Sequence, residues 1–134
     1  MKITLGQLND SIQILNRLKD ERVSSAKLGY RLGKLYRSAQ GEFMEFLDAH
    51  MALLHEYGTP VDEMHWNIPE DKKVEFDTKW NELLSVEVDV WGSPFQVSEI
   101  DGQLELSAAE FAILDWLIVD DDPAEVSQLR AVSA

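Results

Sequence analysis

The sequence predicts a mainly α fold: an antiparallel helical hairpin with one long helix, then a third helix, a small β-hairpin or extended arm, and a short C-terminal helix. Three observations carry this. Apolar residues recur at steps of three and four from Leu5 to Leu18, and over a much longer stretch from Leu28 to Tyr57. Helix start and stop signals bracket the periodic stretches: Thr4 with Gln7 and Ser107 with Glu110 have capping-box spacing, and Gly58 stands before Thr59-Pro60. Alternation at period two is confined to Val86-Glu87-Val88-Asp89-Val90 and, more briefly, Phe95 to Val97.

Leu5, Leu8, Ile12, Leu15 and Leu18 define the first helix, about residues 5 to 21. Val23-Ser24-Ser25 leaves room only for a short connection with a serine N-cap, so the next helix folds back antiparallel. Its stripe is Leu28, Leu32, Leu35, Ala39, Phe43, Phe46, His50, Leu53 and Tyr57. From Phe43 onward Met44, Leu47, Met51 and Leu54 add a second stripe, which widens the apolar face beyond what one neighbouring helix covers. At ~1.5 Å per residue the long helix reaches ~50 Å and the first only ~25 Å. The far half therefore needs cover from the chain beyond Tyr57 or from another chain.

After an irregular stretch, 59 to 68, Pro69, Glu70 and Asp71 open a third helix with Phe76, Trp80, Leu83 and Leu84 on one side, ending near Ser85. Gly92-Ser93-Pro94 turns the chain between the two extended runs. The last helix begins after Ser107, with Phe111, Leu114 and Ile118 inward, and closes at Val119-Asp120-Asp121-Asp122-Pro123. Residues 1–122 read as one helical domain and 123–134 as a C-terminal tail. Phe46, Leu53, Trp80 and Leu114 are expected to be buried together.

Composition narrows the function classes. The chain of 134 residues is 45% hydrophobic, enough for a real core, and has no cysteine, which rules out disulfides and thiolate ligands. No apolar run has the length of a signal peptide or a membrane span. His55 begins a stretch that resembles the zinc-protease helix motif, but the second histidine would stand where Thr59 is. Asp120-Asp121-Asp122 lacks the spacing and central glycine of a calcium loop, and the glycines form neither a P-loop nor a dinucleotide fingerprint. The sequence therefore assigns no catalytic, cofactor-binding or metal-ligating residue, and an enzyme is the least favoured class.

Charge supplies the candidate contact residues. The net charge of −13 conceals eight Lys/Arg against three Asp/Glu in residues 1–40, and four against twenty-two in 41–134. On the long helix Lys27, Arg31, Lys34 and Arg37 make a basic ridge flanked by Tyr30 and Tyr36, while Glu42, Glu45 and Asp48 begin an acidic half. The candidate partner-binding residues are therefore Lys27, Tyr30, Arg31, Lys34, Arg37, Glu42, Glu45 and Asp48. Direct nucleic-acid binding is disfavoured because the whole chain is strongly anionic. Two copies of such a helix are complementary when antiparallel, so a homodimer is one expected arrangement; the plain alternative is that the ridge meets carboxylates of its own chain. Gly29 and Gly33 each cost ~1 kcal/mol relative to alanine inside a helix, which points to a close approach there, by the first helix or by a second chain.

The chain also carries a family likeness. A short helix, a long helix ending in Tyr57-Gly58, then Asn81-Glu82-Leu83-Leu84 with the alternating valines, and finally Ser107 followed by Leu114-Asp115-Trp116-Leu117, resemble a group of small proteins encoded in tailed-bacteriophage and prophage genomes. The likeness covers most of residues 1–119, rests on structural residues, and brings no catalytic residue with it. It implies an accessory protein without assigned activity, often encoded near virion-assembly genes. The expected function is protein–protein interaction in virion morphogenesis, as an assembly helper or minor structural component, with a phage structural protein as partner. The expected location is the bacterial host cytoplasm, or the virion itself. The acidity offers a second expectation, an inhibitor of a host or anti-phage defence protein that imitates nucleic acid.

Overall fold

The computed structural model describes residues 1–121, so the expected tail at 123–134 lies outside the described residues. A short strand β1 (Lys2–Thr4) leads directly into helix α1 (Leu5–Leu18). The junction is the expected capping box: Gln7 N–H donates to Thr4 Oγ1 at 3.1 Å, and Gln7 Oε1 accepts from Thr4 N–H at 2.9 Å. Helix α2 runs unbroken from Ala26 to Tyr57 after a Ser25 cap on Leu28 N–H. Gly58 then turns the chain into β2 (Thr59–Pro60). A Cβ there would stand 2.8 Å from Ile68 Cδ1 and 3.0 Å from Leu54 O, so close approach rather than φ demands the glycine.

Strands β2 and β3 (Trp66–Asn67) pair antiparallel, forming a hairpin where the sequence suggested an irregular stretch. Its turn is held by Asp62, whose Oδ1 accepts from the Met64 and His65 N–H groups at 2.8 and 2.9 Å. The Met64 amide first, then the His65 ring, hold the Asp62 carboxyl below its ordinary range. A 3₁₀ turn (Glu70–Lys72) opens α3 (Lys73–Leu84), as Pro69 and the two acids after it predict.

Of the two forms expected beyond α3, the chain takes the extended arm. Strand β4 (Glu87–Asp89) pairs antiparallel with β1, with Ile3 opposite Val88. Strand β5 (Phe95–Gln96) pairs in parallel with β6 (Ile118–Val119). Between them lie two short helices, α4 (Val97–Ile100) and α5 (Ala108–Ile113), the latter opened by the expected box of Ser107 and Glu110. Because α5 stops at Ile113, residues 111, 114 and 118 do not share one helix face. Leu114 is buried, whereas Phe111 is 39% exposed.

The core joins Leu8, Leu15 and Leu18 of α1 to Leu28, Leu32, Leu35 and Ala39 of α2, closed by Leu114 and Leu117. One hydroxyl sits in it: Ser11 Oγ donates to Gln7 O at 2.6 Å and accepts from Trp116 Nε1 at 2.9 Å, so neither polar atom is orphaned. Further along α2, Phe46 is buried between Phe43 and Trp80, with ring centroids 5.8 and 5.6 Å away. Of the four residues expected to be buried together, Phe46 and Leu114 are fully buried, while Leu53 and Trp80 are half-buried. Among the described residues no helix is long and apolar enough to cross a membrane.

This packing has two measurable consequences. Phe46→Ala should lower the unfolding free energy by ~3–5 kcal/mol, since it leaves a cavity under Trp80; denaturant titration checks it, and a loss below ~1 kcal/mol would contradict the packing. His50 lies 4.5 Å from the Trp80 ring, and burial holds its pKa below 6.5. The unfolded chain then binds the extra proton, so this contribution is present above about pH 6.5 and is lost as pH falls toward the lowered folded value. His50→Leu should flatten the stability profile between about pH 7 and 5.5, above the range where paired carboxylates titrate. An unchanged slope would mean that another group controls it.

Candidate interaction surface

The site arises from a mismatch of lengths. At ~1.5 Å per residue α2 is ~48 Å long and α1 ~21 Å. Helix α1 lies beside the middle of α2, where Asn16 Oδ1 accepts from Tyr36 Oη at 3.1 Å and Ile12 and Gln13 share a hollow with Gln40 and Phe43, and α3 lies along one edge of the rest through Trp80 and through Phe76, which stands edge-on to Tyr57 at 6.2 Å. The widened apolar face is thus only partly covered. Met44 remains 50% and Met51 42% exposed, while Leu47 and Leu54 are half-buried.

On the α3 side, Ala49, Ala52 and Leu53 of α2 face Leu83 and Val86 across an open groove of about 360 Å³. Glu56, Lys79 and Glu82 supply its charged lining. The two alanines make the hollow, because their short side chains sit beside large neighbours on both helices. That much was readable from their position next to the apolar stripe. The depth of the groove was not, since it depends on where α3 lies.

The basic ridge divides in two. Arg31 is used by its own chain: Nη1 donates to Glu99 at 2.5 Å, Nη2 donates to the Ser93 carbonyl at 3.2 Å, and the guanidinium stacks 4.2 Å from the Phe95 ring. Lys34 is half-buried with its Nζ 4.8 Å from the Trp91 ring, and Tyr30 meets the same indole edge-on. Lys27 and Arg37 are exposed and make no ion pair among the described residues. Glu45 and Asp48 are likewise exposed and Glu42 half-buried, all three outside the ion pairs among the described residues.

Sequence reasoning missed Trp91, Phe95 and Glu99 as the residues that engage the ridge. Nothing local links Arg31 to a carboxylate 68 positions away. The glycines also divide. A Cβ on Gly29 would meet Val23 at 3.3 Å, so the α1–α2 connection accounts for it. Among the described residues nothing lies within 4 Å of a Cβ added at Gly33 or Gly41, yet each costs α2 ~1 kcal/mol relative to alanine.

Among the described residues no group of three or more His, Asp or Glu is placed to hold a metal ion. His65, in the β2–β3 turn, contacts Asp62 at 2.8 Å, and His55, in the last turn of α2, stands edge-on to Trp66 at 4.8 Å. The surface offers an apolar groove and a long helix face carrying opposite charges at its two ends. Comparison with family models, curated proteins and solved structures finds no match to this chain.

Proposed function

We propose that this is a phage accessory protein that works by protein–protein contact in virion morphogenesis, as an assembly helper or minor structural component. The observation that supports it is the open groove between α2 and α3, lined by Ala49, Ala52, Leu53, Leu83 and Val86. Aliphatic walls, with few polar groups converging on them, suit the apolar side chains of a partner segment, as when an amphipathic helix lies in a groove. The resemblance read from the sequence over most of residues 1–119, to small phage and prophage proteins, suggests the setting. The second reading, an acidic inhibitor of a host or defence protein, draws on Glu45 and Asp48, exposed carboxylates outside the ion pairs among the described residues.

Affinity purification of the tagged chain, from infected and from uninfected bacteria, separates the two. The proposal predicts capture of phage head or tail proteins in infected cells. It also predicts loss of that capture in Ala52→Arg, which fills the groove from an exposed helical position. Capture of a bacterial protein from uninfected cells, indifferent to Ala52→Arg and abolished by Glu45→Lys with Asp48→Lys, would overturn it in favour of the inhibitor.

A further inference from the structure

We infer that the outward face of α2 docks a second copy of this chain, antiparallel, about a two-fold axis crossing the helix near Glu42 and Phe43. The inference is independent of the phage reading. Opposite the buried stripe, Gly33, Arg37, Gly41, Met44, Asp48 and Met51 succeed one another at steps of four and three, so they lie along one line of the helix. No other element of the described chain covers that line: Met44 and Met51 are substantially exposed, and Tyr30, toward the N-terminal end of the same helix, is 62% exposed.

Three properties of this face select a second copy as occupant. Its charge is complementary to itself when reversed: in this register Arg37 lies against Asp48 of the second copy and Lys27 against Glu56, and the symmetry makes each pair twice. Gly41 then faces Met44 of the second copy, so a flexible apolar side chain fills the space a missing Cβ leaves open, and Met51 reaches the hollow beside Gly33. This gives both glycines a use that their own chain does not. Arg31 is outside the contact because Glu99 holds it, which makes Lys27 and Arg37 the orienting cations.

A contact ~45 Å long and ~10 Å wide removes roughly 900 Å² in total from water, below the ~1,200–2,000 Å² of stable interfaces, so a weak and reversible dimer is expected.

Sedimentation velocity on the full chain at low salt, from about 1 to 500 µM, tests this. The expected result is a reversible rise from 15.3 kDa toward twice that mass. Gly41→Gln adds a side chain into open space and improves helix propensity, so the dilute protein should melt no earlier, while the dimer dissociation constant rises by about tenfold or more. Arg37→Asp should weaken the dimer, and adding Asp48→Arg to the same chain should restore it. A monomer at every concentration overturns the inference. So does a dimer indifferent to Gly41→Gln, or one that Asp48→Arg fails to rescue, because either would use another face or another register.

Discussion

The structure depends on one mismatch: a helix of 32 residues packed against a helix of 14. Helix α1 is long enough to lie along only part of α2, beside Tyr36, Gln40 and Phe43. Everything after Tyr57 is arranged around the remainder. Trp80 of α3 closes over Phe46 and His50, and the chain beyond α3 returns to the N-terminal end, where Leu5 N–H donates to Val86 O at 2.9 Å and β4 pairs with β1. The last segment then straps the α1 side through Leu114 and Leu117. These elements are too short to wrap the far half of α2 completely, and the groove and the outward methionines are what remains.

Charge segregation acts within this geometry. Two basic residues anchor the strap: Arg31 to Glu99, and Arg17 to Glu110, whose carboxylate also caps α5. The Ser107 amide first, then Arg17, hold the Glu110 carboxyl below its ordinary range. Ion pairs this exposed are worth only ~0–1 kcal/mol each, so they fix where the strap lies while the buried leucines supply most of its stability. The same division holds for the proposed dimer, in which charge sets direction and apolar contact supplies affinity. The polarity of the long helix thus has two uses, one inside the chain at Arg31 and one outside it at Lys27 and Arg37.

The features legible in the sequence were those set by neighbours within a turn or two. Both capping boxes, the Ser25 cap, the stop at Gly58 and the span of α2 stand where period and capping chemistry put them. Features that depended on distant partners were not legible. Val86 to Val97 could equally have closed on itself or reached elsewhere, because alternation names a strand and not its neighbour. Phe111 was expected inward because its spacing to Leu114 and Ile118 suits a helix, and no residue announced that α5 would stop at Ile113. For the candidate surface, the residues themselves were visible, but their allocation was not. Only the fold separates Arg31, which pairs with Glu99, from Arg37, which makes no ion pair among the described residues.

The claim that the outward face of α2 binds its own copy in reverse is tested most directly by cross-linking. The chain has no cysteine, so single substitutions report on single positions. In the proposed register positions 37 and 48 of different copies face each other, whereas two copies of position 37 lie ~16 Å apart along the helix axis, beyond the ~7 Å that a disulfide spans between Cα atoms. On mild oxidation of an equal mixture of Arg37→Cys and Asp48→Cys chains, the account predicts a predominant mixed disulfide and little of either homodimer. Homodimeric products in equal or greater yield, or no cross-link at concentrations where the mass doubles, would contradict it.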